Sequence, residues 1–361
     1  MPHLFDPLAL RGLTLPHRIL VSPMCQYSST DGFATDWHFV HLGSRAVGGA
    51  SLVFTEATAV TAEGRISPRD LGLWRDEHVS ELSRIVRFIH DQRSAAGIQL
   101  AHAGRKGSTS PPWEGLTGVP AESGGWQPIG PTAEAFTPGY PLPRAVDIRE
   151  IPAIVEAFKA AARRALACGF DVAEVHAAHG YLIHQFLSPL INTRTDRYGG
   201  SFDNRVRLCV EIVDGVRSVW PERLPLFVRI SATDWAPGGW DLDQSVELAR
   251  RLRDRGVDLV DCSSGGAVPH AKMEIAPGYQ VPFAERIRRE ANVATGAGGL
   301  ITSAAQADAV VREGRADCVL LARELLRDPY WPLRAARELE QPLPWPRQYL
   351  RAAPPDTPAH S

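Results

Sequence analysis

The chain contains no apolar run approaching the roughly 18 residues that a membrane-crossing helix needs. It has no basic run either, with 39 Lys+Arg against 41 Asp+Glu and a formal net charge of -2. The first absence argues against a membrane protein, and the second removes the electrostatic footprint that binding to nucleic-acid phosphates requires. Five cysteines, Cys25, Cys168, Cys209, Cys262 and Cys318, are scattered singly without C-x-x-C or C-x-x-H spacing. Neither a disulfide framework nor a thiolate metal cluster is expected from them. The first six residues lack the basic and apolar regions of a secretory signal, so a cytoplasmic protein is expected. No G-x-G-x-x-G opens a helix in the first half, which argues against a separate dinucleotide-binding domain.

What is present is repetition. Short β-rich apolar runs at 19–23, 52–58, 97–101, 171–176, 226–231, 257–263, 293–296 and 316–321 alternate with helical patterns at 36–47, 77–96, 151–168, 204–219, 242–255, 283–290, 303–313 and 324–339. Eight strand-then-helix units predict parallel, right-handed β-α crossovers. Polar residues collect just after the strand ends: Cys25, Glu56, His102 with Arg105, His176 with His179, Ser263, Gly298 with Gly299, and Arg323, while Arg229 lies inside its strand. A closed barrel brings all of these to one rim, whereas an open sheet scatters them. The expected fold is therefore α/β, a (β/α)8 TIM barrel forming one domain over residues 1–351. A Pro- and Trp-rich insertion at 106–147 follows the third strand and belongs on the same rim, and residues 352–361 read as a flexible tail.

Two constellations carry chemistry. His176-Ala-Ala-His179-Gly-Tyr181 ends an apolar strand and can present two imidazole donors and a phenol to one cavity. Spacing alone leaves three readings open: organic acid-base work, a metal pair, or structural histidines. A metal site of this kind usually adds a third ligand, and Glu174 lies within the strand, away from that role. The second constellation is the glycine-rich loop with Gly298 and Gly299, followed by Ala322 and Arg323 after the eighth strand. Barrels bind phosphate on backbone amides at that place. Glycine turns also occur there for purely steric reasons.

Several longer segments, taken in order, resemble the old yellow enzyme family: Ser22-Pro-Met-Cys25-Gln-Tyr27, Glu56-Ala57, Gln99-Leu-Ala-His102-Ala-Gly-Arg105-Lys106, the His176 to Tyr181 segment, Asn192 to Arg205, Phe227-Val-Arg229 and Arg323-Glu-Leu-Leu-Arg327. The resemblance runs from about Leu4 to Arg351. Cys25, Tyr27 and the compact length look like the family's thermophilic-like bacterial branch, and the long insertion is similar to that of its xenobiotic reductases.

The resemblance implies a barrel holding one non-covalent FMN, with NADPH or NADH as electron donor and activated C=C bonds as acceptors. Ser22, Pro23, Met24, Cys25 and Ala57 would line the flavin ring, with Gln99 at its pyrimidine edge and Arg229 near N1 and O2. The phosphate would lie against Gly298, Gly299, Ala322 and Arg323. His176 and His179 would bind the carbonyl or nitro oxygen of the substrate, Tyr181 would supply a proton, and Tyr27 would offer a hydroxyl to the substrate. Cys25 would act beside the flavin. Arg351, with Arg347 as the second choice, would enter the active site of a neighbouring subunit in a homodimer or homotetramer. The competing expectation is a flavin-free barrel lyase or isomerase acting on a phosphorylated substrate. Larger flavin barrels of the dienoyl-CoA reductase type carry an iron-sulfur cysteine cluster and further nucleotide domains that this chain does not show.

Overall fold

A computed structural model describes residues 2–355 and 357. Its centre is a closed parallel barrel. The barrel strands, in chain order, are β1 (Ile19–Val21), β2 (Leu52–Ala59), β3 (Ala95–Ala101), β4 (Val172–Ala177), β5 (Leu226–Ser231), β6 (Leu259–Ser263), β7 (Ala294–Ala297) and β8 (Cys318–Leu321), and β8 pairs back onto β1. Around it run α1 (Asp36–Val47), α2 (Val79–Asp91), α3 (Ile151–Cys168), α4 (Phe202–Arg217), α5 (Leu242–Arg253), α6 (Val281–Ala291), α7 (Ala304–Arg312) and α8 (Trp331–Glu338). The expected (β/α)8 TIM barrel is the fold observed.

Strand alternation builds the barrel in layers. Every second residue faces inward. On β5 these are Phe227, Arg229 and Ser231; on β6 they are Leu259, Asp261 and Ser263; on β4 they are Val172, Glu174 and His176. The lowest ring is apolar, with Leu20, Leu52, Phe54, Val172, Phe227, Leu259 and Leu320 in one buried cluster, separate from the core between sheet and helices. A short antiparallel hairpin, Leu8–Leu10 with Leu13–Leu15, adds Leu8, Leu10 and Leu15 to that cluster and closes the barrel floor. Each such fully buried side chain contributes about 1.5–3 kcal/mol. Above the floor the inward residues become charged, and above those, polar.

Two helical expectations need correction. The helix expected over 77–96 stops at Asp91 because Arg93 takes a left-handed conformation (φ 66) and residues from Ala95 onward pair with β2. The helix expected over 324–339 is two pieces, Arg323–Arg327 and α8, separated at Asp328-Pro329, since proline lacks the amide that would continue the first. The expected tail at 352–361 falls partly outside the described residues, which omit 356 and 358–361.

Candidate active site

The charged layer of the barrel is one connected set. Gln99 Nε2 donates to Glu174 Oε1 at 2.8 Å, and Arg229 lies 3.1 Å from Asp261 Oδ2 and donates to Ser22 Oγ at 3.0 Å. A bulge in β2 between Phe54 and Ala57 brings Ala57 opposite Gln99, so a small residue and an amide share one edge of the opening. Glu174 is fully buried, and burial followed by the nearby Asp261 carboxylate pushes its carboxyl up to about 8. Spacing alone sets Glu174 away from the histidines, yet it stands two residues before His176 on the same inward face. Period-2 alternation is the signal that finds it.

Above this layer, the chain leaving β4 turns sharply. His179 has φ 59 and Gly180 φ 73, and the turn sets the rings of His176, His179 and Tyr181 mutually edge-on, with centroids 5.1 to 6.5 Å apart. His176 Nδ1 accepts from the Ala178 amide, so its proton resides on Nε2 and that nitrogen is a donor. His179 Nε2 lies 2.7 Å from Ser263 Oγ, which Gln280 Nε2 also approaches at 3.2 Å. Burial, then the positive charge of Arg229, holds both imidazoles well below their ordinary pKa. They are neutral rings, each carrying one N–H. Burial likewise keeps the Tyr181 hydroxyl protonated.

Lys106 fixes this turn. Its Nζ donates to the carbonyls of His179 (2.8 Å) and Gly266 (2.6 Å), and it lies 4.1 Å from the Phe136 ring of the insertion. Burial, then neighbouring Arg105, lowers its pKa to about 7. Arg105 donates to the Ala267 carbonyl at 2.8 Å. Lys106 sits inside the matched segment, but no spacing rule assigns it this bridge.

The β7 and β8 ends enclose a cavity of about 170 Å3 lined by Ser22, Arg229, Ser263, Gly298, Gly299, Ala322 and Arg323, with Tyr279, Gln280 and Arg327. Gly299 has φ 89, and a Cβ there would sit 3.0 Å from the Tyr279 ring. A side chain there would crowd Tyr279, so bare backbone borders the cavity at this point. Arg229 belongs both to this cavity and to the charged layer, so the two regions are contiguous.

Cys25 and Tyr27 leave the end of β1. Burial, then Asp70 and Glu56, raises the Cys25 pKa well above the ordinary thiol value, so it is a thiol and not a thiolate at neutral pH. Tyr27 packs edge-on against Trp113 of the insertion (5.7 Å), and Trp126 Nε1 donates to the Glu63 carbonyl. Arg351 lies in a short turn, Arg347–Ala352, and is exposed and absent from the cavity lining. Among the described residues no group of three or more His, Cys, Asp and Glu side chains is arranged to hold a metal ion, and no helix is long and apolar enough to cross a membrane.

A parallel barrel with a glycine-lined cavity at β7–β8, a central arginine and a neutral histidine pair on one rim has the features of a flavin-type oxidoreductase barrel. The model of the NADH:flavin oxidoreductase / NADH oxidase family matches residues 3–342, and the chain belongs to that family. It is 51% identical over 350 residues to an NADPH dehydrogenase of Geobacillus sp. (strain WCH70), covering 96% of this chain and 98% of the relative. The fold is similar to that of the old yellow enzyme homologue from Zymomonas mobilis, with TM-score 0.78, 27% identity and coverage of 95% and 94%. It is similar also to 2-naphthoyl-CoA reductase in complex with 2-naphthoyl-CoA, with TM-score 0.85 and 26% identity. There the match covers 93% of this chain and 52% of the other, so this chain spans about half of that longer protein. These findings support the flavin reading and not the flavin-free lyase or isomerase.

Proposed function

We propose that the protein is an FMN-dependent NADPH oxidoreductase that reduces activated C=C bonds of small electrophilic alkenes such as enones, maleimides and nitroalkenes. The observation that carries the reading is the pair of neutral imidazoles, His176 and His179, above an arginine, Arg229, that also borders the glycine-lined cavity. The residues fit FMN, because the cavity offers Gly298 and Gly299 amides with Arg323 for a phosphate, while Gln99, Arg229, Ser22 and Ala57 are gathered beside it. Bound there, FMN supplies reversible two-electron exchange with a nicotinamide and then with the alkene.

The chain's own groups do the rest. Arg229 would provide the positive charge that stabilises electron-rich flavin, and Gln99 would present an amide to its pyrimidine edge. Pro23 and Met24 would line the ring beside Cys25, whose thiol would meet flavin or substrate in its uncharged form. His176 and His179 donate to the substrate oxygen as negative charge develops on it; neutral imidazoles serve because each retains an N–H. Tyr181 delivers the proton to the α-carbon, and Tyr27 contacts the substrate from the opposite side. The insertion narrows the mouth through Trp113 and Phe136. Arg351, or failing it Arg347, completes the site of an adjacent subunit in a homodimer or homotetramer. Five unpaired cysteines among the described residues support a cytoplasmic setting.

The test is a visible spectrum of the purified protein under anaerobic conditions. Flavin bands that bleach with NADPH and return with 2-cyclohexenone are the expected result. A colourless protein that takes up no FMN would overturn the reading.

A further inference from the structure

The floor of the proposed flavin site holds two carboxyls buried inside the barrel, Glu174 and Asp261, and one guanidinium, Arg229, that is partly open to the cavity above. If both carboxyls were ionised, the layer would carry an uncompensated negative charge away from water, which is strongly unfavourable. Geometry decides which carboxyl keeps its proton. Asp261 has the guanidinium 3.1 Å away. Glu174 has the neutral amide of Gln99 on Oε1, while its Oε2 is buried with no hydrogen-bond partner. The groups facing Glu174 are Gln99 from β3, Arg229 from β5 and Asp261 from β6, with neutral His176 above it on β4.

We infer that Glu174 is a redox-linked proton acceptor at alkaline pH: where its carboxyl is ionised, it takes up one proton when the flavin bound beside it is reduced, and so couples the flavin potential to pH in that range. This rests on the flavin reading of the site. Reduction places additional negative charge beside Arg229 and Gln99, the two groups that flank Glu174. A new like charge strengthens a buried carboxyl's hold on its proton. The balance is simple. A hydride, two electrons with one proton, leaves the nicotinamide donor as its C–H bond breaks and passes to the flavin; a second proton passes from solvent to the Glu174 carboxylate, and no carbon bond changes at Glu174. Its carboxyl, pushed up to about 8 before reduction, is ionised above that pH and is drawn back to the neutral form by reduction. Below about 8 it is neutral in both redox states and contributes no extra proton.

The experiment is the reduction potential of the FMN-loaded enzyme between about pH 6 and 10, by dye equilibration, for the native chain and for Glu174→Gln. The amide side chain of this variant keeps an acceptor for Gln99 but cannot titrate. Below about pH 8 the two curves should run parallel. Above it, the native potential should fall more steeply by one proton per two electrons, a tenfold change in equilibrium constant per pH unit, or about 30 mV. The variant should keep the shallower slope and end at the higher potential. Coincident slopes across the range would overturn the proposal. A second measurement needs no variant: an infrared difference spectrum of the native enzyme near pH 9 should gain a protonated-carboxyl band on reduction, and its absence would refute the idea equally. A chain that takes up no FMN would overturn the flavin reading itself, and this proposal with it, whereas a flavin-loaded enzyme with coincident slopes overturns this proposal alone.

Discussion

Replacing Gly180 with alanine tests how the turn after β4 holds the two histidines. Gly180 has φ 73, and a Cβ on it would lie 2.0 Å from the Gly266 carbonyl oxygen and 2.8 Å from its carbon. The opposing strand end cannot yield a side chain to relieve this, because the obstacle is backbone. The two segments would have to part by about 1 Å to restore ordinary contact, and Lys106 Nζ is bonded to a carbonyl on each side of the gap, at 2.8 and 2.6 Å. Left-handed backbone costs an L-residue about 1–2 kcal/mol. Loss of one buried hydrogen bond adds about 1–3 kcal/mol. Gly180→Ala should therefore lose about 2–5 kcal/mol in urea unfolding. A displacement of His179 of that size should also slow substrate reduction, by up to about 100-fold. Stopped-flow measurement of both half-reactions is the assay: transfer to the alkene should suffer more than flavin reduction by NADPH. A variant within about 0.5 kcal/mol of the native stability, with unchanged rates, would show that the turn is not the anchor described.

Tyr181→Phe should slow the oxidative half-reaction by about 10²–10⁴-fold and spare flavin reduction, and equal slowing of both would remove Tyr181 as proton donor. His176→Ala should weaken binding of a phenol that stacks on oxidised flavin as an oxyanion mimic; unaltered affinity in a spectral titration would refute the anion-binding role. Arg351→Ala should raise KM for nicotinamide and enone if the arginine serves an adjacent site, and unchanged values would refute a shared site. Lys106 is held near 7 in the fold against 10.5 when unfolded, so the unfolded chain binds more protons between those values, and its contribution to stability rises with pH across that window. Unfolding free energies of Lys106→Met should lack that rise relative to the native chain, and identical pH profiles would contradict it.

How much is legible in the sequence follows from the range of each interaction. The eight strands are readable because each is a local apolar run, and the rim residues are readable because strand ends in a barrel converge whatever their separation along the chain. The resemblance then singles out His176, Gln99 and Arg229 by motif, the loop after the seventh strand singles out Gly299 by position, and the fold brings Arg229 and Gly299 to one cavity and Gln99 to the layer beside it. What escapes depends on pairings across the barrel. Lys106 bridges the loops after β4 and β6, a contact between residues 73 and 160 positions apart, and no periodicity encodes it. The hairpin floor escapes because Leu8, Leu10, Leu13 and Leu15 belong to strands of only three residues each, too short a signal beside the longer runs. Glu174 is the instructive case: its place on the inward face is implied by His176 two residues later, but its neighbours Asp261 and Arg229 come from two other strands. A carboxyl in a strand reads as ordinary until the register of those strands reveals that two acids share one base.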